Sequence, residues 1–302
     1  MRLLLIVNTS ASSVTARTRV VIQKALSADH DVTLKETNRR GHAARLAQGA
    51  AADGLDAVIV LGGDGTLNEA ANGVAGSRTA LAVLPGGSTN VFARTIGMAN
   101  DPVEATSQLL SALSSGSIEP VGLGRANARY FLFHAGIGFD AAVVERVEKL
   151  APLKRYTGPA LFVGATLLAL AHGDGRRTFT VAAEGFPPAT AALAVCLNTD
   201  PYTFFGSRPL HLAPGTSLTT PLSLVALDSL RLASLAPVVV AAFGSGPKNR
   251  RARHLAVHQP VSSAIISADR PVPYQLDGDY VGEAGSIELR WAEGALRLIK
   301  PV

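Results

Sequence analysis

Cysteine is nearly absent from this chain of 302 residues: Cys196 is the only one, so no disulfide can form within it, which fits a reducing cytoplasm. No apolar run reaches the ~18 to 20 residues needed to cross a bilayer. The longest candidate, ALFVGATLLALA at 160–171, falls short. The opening MRLLLIVNTS has a short apolar run after its arginine and no secretory cleavage pattern, so it reads as a first strand. The dipeptide Gly-Lys does not occur, which removes the P-loop, and no Gly-x-Ser-x-Gly elbow occurs, which argues against an α/β-hydrolase. Internal repeats and low-complexity tracts are also missing. What remains is a soluble globular chain, long enough for one large domain or two ordinary ones.

The formal charge is +5 and the pI about 9.6, with arginine supplying most of the basic residues. That balance suits phosphates, nucleic acid or an acidic membrane surface, and base bias towards arginine codons would produce it equally well. The cluster KNRRARH at 248–254 has no interleaved aromatics; it is a solvated face or a contact for anionic lipid. Nothing but the charge balance favours nucleic acid, and none is expected as a partner.

The runs LLLIV (3–7), AVIVL (57–61) and ALAVL (80–84) lack polar alternation, the pattern of parallel strands buried on both faces. Helical patterns at 15–28 and 41–52 and a shorter strand at 31–34 lie between them. The alternation predicts an α/β doubly wound domain over 1–120, with ligands outside the carboxyl ends of its strands. From about residue 118 the texture changes to short runs such as RYFLFHAG, AALAVCLN and LSLVAL, bounded by turn residues. These predict a β-rich, sandwich-like second domain over 121–291, interrupted by helices at 140–150 and 158–171. The segment ALRLIKPV, within 292–302, reads as a strand whose placement stays open.

In AVIVLGGDGTLNEAANGV (57–74) a buried strand stops at glycines and a helix pattern follows. Glycines let backbone approach a ligand closely, and the helix N-terminus offers unpaired amides, which together make a phosphate cradle. A tight turn without a ligand is the plain alternative. Asp64 weighs against it, because a carboxylate among such amides repels phosphate unless a divalent cation mediates or it has a chemical task. GIGFDA at 136–141 matches only a loose dinucleotide pattern and lacks the acidic residue such a site needs. His254 and His258 share a face without a third ligand and read as a surface pair. Asp277-Gly278-Asp279 reads as a hairpin turn.

GGDGTLNE (62–69), LPGGSTNVFAR (84–94), GIGFDAAVV (136–144) and QLDGDY (275–280), in that order, resemble the diacylglycerol kinase catalytic family, specifically its soluble bacterial lipid kinases. GGDGT alone is shared with NAD kinases, which are the alternative enzyme. The resemblance implies ATP and magnesium as cofactors. It places Asn8, Thr37, Gly62, Gly63, Asp64, Gly65, Thr66, Asn68, Glu69 and Ser88 around ATP. It also implies that Asp64 organises magnesium and that Asp279, where relatives carry glutamate, is the general base. The substrate it implies is a lipid hydroxyl, most simply that of diacylglycerol, met by a cytoplasmic protein in peripheral contact with the inner membrane surface. Val91 and Gly122 stand where relatives carry aspartates of a metal-linked network, and no aspartate occurs in SLTTPLS (217–223), where a second, structural metal would bind. The lack of aspartate at 217–223 predicts the absence of that second site. Val91, Gly122 and the shortened Asp279 motivate a further alternative, a regulatory module that keeps the nucleotide cleft without the chemistry.

Overall fold

The computed structural model describes residues 1–149, 177–231, 238, 242 and 255–302. The helix expected at 158–171, the basic cluster 248–254 and His254 lie outside the described residues. Two compact units form, Met1–Leu123 with Glu293–Val302, and Gly124–Ala292.

In the first unit the apolar runs become strands β1 (Arg2–Val7), β3 (Ala57–Gly62) and β4 (Ala80–Pro85), with β2 (Asp31–Glu36) beside β1. The order β2-β1-β3-β4 is parallel throughout, Leu5 lying opposite Leu34 on one side and Ile59 on the other. Every residue of β3 and β4 is buried, which is why these runs carry no polar alternation, whereas β2 alternates. The strand β16 (Asp279–Ile299) ends in this sheet, where Leu298 pairs in parallel with Leu81. That places the last apolar segment, with Leu296, Leu298 and Ile299 buried.

Helix α1 (Ala16–Leu26) starts on Thr15, whose hydroxyl accepts from the Thr18 N–H at 3.0 Å. It is followed by α2 (His42–Ala52), α3 (Asp64–Val74) and the short α4 (Val91–Thr95). Helix α5 (Pro102–Ser115) starts on an Asp101 cap with proline in its first turn. Helix α2 packs on α3 and α1 on α5. Right-handed crossovers put the two pairs on opposite faces of the sheet, so it is doubly wound. The loops after β1, β3 and β4 therefore share the carboxyl edge, where such sheets bind ligands.

The second unit is rich in strands. From β5 (Ile118–Ala126), which enters it at Gly124, the chain makes β6 (Arg129–Phe131), β7 (His134–Gly138) and α6 (Phe139–Lys149). Then come β8 (Phe179–Ala183), β9 (Ala189–Ala191), β10 (Leu193–Leu197), β11 (Thr203–Phe205), β12 (Arg208–Leu210), β13 (Leu222–Leu227), β14 (Leu255–Val261) and β15 (Ser263–Leu276). The order β14-β13-β10-β7-β15-β16 is antiparallel between neighbours, β8 adds to β15, and β11 with β12 forms a separate ribbon. Strands β10 and β13 bury both faces: Cys196 and Leu224 join one apolar cluster, Val195 and Val225 another. The runs DYVG, SIELRWA and ALRLI are one continuous strand rather than three. Gly282 (φ 144°) and Gly294 (φ 60°) look like turn signals in the sequence and are backbone irregularities inside it.

Candidate active site

Two glycine loops meet at the carboxyl edge of the first unit. The Gly86 N–H donates to the Gly62 carbonyl at 2.8 Å. A Cβ on Gly86 would lie 2.9 Å from the Gly62 nitrogen, and one on Gly87 would lie 2.9 Å from the Gly63 Cα. The glycines are thus required first by backbone packing on backbone, and that packing holds both loops in one shape. Asn90 (φ 50°) closes the second loop, accepting from the Gly87 N–H at 2.8 Å and donating to the Gly87 carbonyl at 2.9 Å. Ser88 stands exposed at its crest.

Gly63 caps α3 with extended backbone and no side chain, so the first-turn amides of α3 meet the loop without a built-in acceptor from the cap. Asn8 follows β1, its N–H bonded to the Leu61 carbonyl and its side-chain amide to the Thr66 hydroxyl, both at 2.9 Å. Gly65 and Thr66 are half-buried in that first turn. Thr37 follows β2, and its N–H bonds the Val7 carbonyl at 2.9 Å. Asn68 is fully buried beneath the loop, where its carbonyl accepts from Asn72 at 2.9 Å.

The two acids of the motif act on neighbouring helices. Asp64 accepts from the Val91 N–H at 2.9 Å and the Phe92 N–H at 3.1 Å, which caps α4. Glu69 accepts from the Gly41 N–H at 2.7 Å and the Ala43 N–H at 3.1 Å. It caps α2, whose own cap residue, Gly41, has no side chain to do so.

The second unit holds Asp279 at the start of β16, after a left-handed turn at Asp277 (φ 52°) and Gly278 (φ 82°). This is the hairpin that Asp-Gly predicts. Arg129 lies 3.7 Å from the Asp279 carboxylate. Asp277 is buried, and its oxygens accept from the N–H groups of Leu132 (2.7 Å), Phe133 (2.9 Å) and His134 (3.0 Å). Beside it runs a side-chain chain: the Tyr202 hydroxyl donates to Asp140 at 2.7 Å, the Gln275 amide donates to Asp140 at 2.8 Å, and the Gly278 N–H donates to Gln275 at 2.7 Å. Burial, with Asp140 adding to it, holds the Tyr202 phenol well above its usual range, so it stays a donor. Burial pushes the His134 imidazole down to about 4, and the ring is neutral at neutral pH.

No group of three His, Cys, Asp or Glu side chains that could hold a metal occurs among the described residues. Val91 contributes only its N–H to Asp64, and the loop at 217–220 closes through its own hydroxyls, the Ser217 N–H on the Thr220 Oγ1 at 3.1 Å. Among the described residues no protein-built magnesium cage occurs. A cleft of about 560 Å³ lined by Leu55, Arg78 and Arg297 lies at the opposite, amino edge of the first unit's sheet, away from the loops.

The family model of the diacylglycerol kinase catalytic domain matches residues 2–126, the stretch that carries both glycine loops. Residues 2–126 are thus similar to that catalytic domain. Over 120 residues the chain is 37% identical to a diacylglycerol kinase of Bacillus subtilis (39% of each chain). Over 158 residues it is 32% identical to a Pseudomonas aeruginosa protein named "Probable lipid kinase YegS-like" (51% of this chain, 50% of that one). The matches thus span two fifths to half the length of these curated relatives. A crystal structure of a diacylglycerol kinase from Bacillus anthracis superposes with a TM-score of 0.75 at 22% identity, covering 99% of this chain and 96% of that one; at that identity the likeness is one of fold.

Asp277, Asp140, Gln275 and Tyr202 lie beyond the catalytic-domain match and were not among the residues expected from the sequence. One signal was available for Asp140. A Cβ on Gly136 would lie 1.7 Å from the Asp140 Oδ2 and 2.5 Å from the Gln275 Nε2, so the first glycine of GIGFDA is there to admit this pair. Tyr202 and Asp140 are separated by 62 positions, and no spacing rule joins them.

Proposed function

We propose that the chain is an ATP-dependent lipid kinase that transfers the γ-phosphoryl group to a lipid hydroxyl, most simply converting diacylglycerol to phosphatidate. The observation that carries this reading is the pair of glycine loops locked together at the carboxyl edge of a diacylglycerol kinase catalytic domain, with α3 aimed at the loop and Asp64 in its first turn. In this reading the α3 amides, Asn8, Thr37, Thr66 and Ser88 hold the triphosphate, while Asp64 and Glu69 keep the surrounding helix ends in place. Magnesium bound with ATP would supply charge neutralisation at the phosphates, and Asp64 is the carboxylate of the loop that would help to hold it. The lipid oxygen attacks the γ-phosphorus, the bond to the bridging oxygen breaks, ADP leaves, and the hydroxyl proton passes to Asp279. The protein's main contribution is position and charge.

The test is transfer of label from ATP into mixed micelles of diacylglycerol, ceramide or other hydroxylated lipids, with NAD assayed alongside. Labelled phosphatidate is expected. Asp64→Asn and Asp279→Asn should each lose at least about tenfold in kcat, ~1.4 kcal/mol of barrier, while keeping their fold by circular dichroism. Near-full activity in both variants, label on NAD alone, or ATP binding without transfer to any lipid would each overturn the proposal.

A further inference from the structure

The side chains hydrogen-bonded beside the Asp277 turn form one path, and it leads to the candidate base. It begins at Tyr202, beyond the end of β10, whose hydroxyl donates to Asp140 Oδ1 at 2.7 Å. The second oxygen, Oδ2, accepts from the Gln275 amide at 2.8 Å. The other end of that amide, Oε1, accepts from the Gly278 N–H at 2.7 Å. Gly278 is the residue before Asp279, and every member of the path lies in the second unit.

The surrounding structure makes room for the path and keeps each bond in place. Gln275, fully buried in β15, stands across from Gly136 in β7, where the missing Cβ admits both Asp140 and the Gln275 amide. Asp140 occupies the first turn of α6, a position that favours a carboxylate. The His134 ring lies against Tyr202, with centroids 4.5 Å apart, and burial keeps it neutral, so it does not draw Asp140 into an ion pair. Asp140 therefore keeps one oxygen for each donor, and the phenol stays protonated to make its bond.

The hairpin is already fastened without this path. Asp277 ties the turn to the N–H groups of Leu132, Phe133 and His134. Apolar side chains of the same shape could fill the space of the polar set at little loss of stability. What the path adds is control of one peptide. Gly278 (φ 82°) has the widest backbone freedom in the turn, and holding its N–H limits rotation of the backbone from which the Asp279 side chain springs. We propose that Tyr202, Asp140 and Gln275 are positioning residues that aim the Asp279 carboxylate at the acceptor hydroxyl by fixing Gly278. This rests on the lipid-kinase reading, in which Asp279 takes the proton of that hydroxyl.

The experiment joins kinase assays of the full chain on diacylglycerol in mixed micelles to hydrogen exchange of the Gly278 amide, followed by NMR. Tyr202→Phe removes the first donor, and Gln275→Met removes the last acceptor at similar volume. Each should lower kcat about tenfold, leave the KM for ATP within about twofold, and speed exchange at Gly278. Tyr202→Phe, the milder change, carries the test on its own. Asp140→Asn, whose amide can still meet both neighbours once the tyrosine hydroxyl turns to accept, should keep more activity than Asp140→Ala. In the Asp279→Asn background Tyr202→Phe and Gln275→Met should cost nothing further, because nothing is left to aim. Losses that multiply in the double variants overturn the positioning role and leave the kinase reading standing. Full kcat in both single variants despite faster Gly278 exchange has the same result. Unchanged exchange at Gly278 in both variants overturns the path itself. A parent chain that transfers no label to lipid overturns the kinase reading and the positioning role with it.

Discussion

Asp277 has two carboxylate oxygens turned onto the N–H groups of Leu132, Phe133 and His134, in a place that water does not reach. Asparagine would keep the left-handed turn but aim an NH2 at an N–H donor. Asp277→Asn is therefore expected to lower unfolding free energy by about 2–3 kcal/mol in chemical denaturation at neutral pH. At this scale the sequence was half legible. Asp-Gly announced the hairpin, but the buried service of its aspartate depends on N–H groups 143 to 145 positions away. Glu69 is the parallel case: the resemblance placed it around ATP, and its cap on α2, which follows from Gly41 having no side chain 28 positions earlier, was not legible.

Between elements, two glycines of the first unit give opposite expectations. A Cβ on Gly73 would lie 2.4 Å from the Ala44 carbonyl oxygen, so Gly73→Ala forces α3 away from α2; Gly49, within α2, has nothing within 4 Å of its own virtual Cβ. Gly73→Ala should lose about 1–3 kcal/mol by overpacking, and Gly49→Ala should gain up to about 1 kcal/mol because the unfolded chain loses freedom, both read by thermal denaturation. The helices themselves were legible. Helical pattern predicted 15–28 and 41–52 where α1 and α2 span Ala16–Leu26 and His42–Ala52. The continuity of β16 was not, since Gly282 and Gly294 are punctuation in a sequence and only irregular strand positions once neighbouring strands supply the pairing.

For the molecule as a whole, Glu293–Val302 belongs to the first unit although the second unit precedes it in the chain. Leu296, Leu298 and Ile299 are buried there, and at roughly 1.5–3 kcal/mol each their loss approaches the entire stability of an ordinary domain. A chain ending at Ala292 should lose the far-UV circular dichroism of α1 to α5 and should not retain a fluorescent ATP analogue, while adding back a peptide of residues 293–302 should restore part of both signals. The pairing of Leu298 with Leu81 was beyond local reading, because no periodicity marks a partner supplied from so far along the chain.

That late strand also sets a schedule for synthesis. When the ribosome has delivered the glycine loops, the sheet that carries them still lacks one of its strands, and it stays incomplete while the whole second unit is being made. The edge that carries the glycine loops can settle only after the turn carrying Asp279 has emerged, so a nascent chain that stalls midway cannot present finished loops.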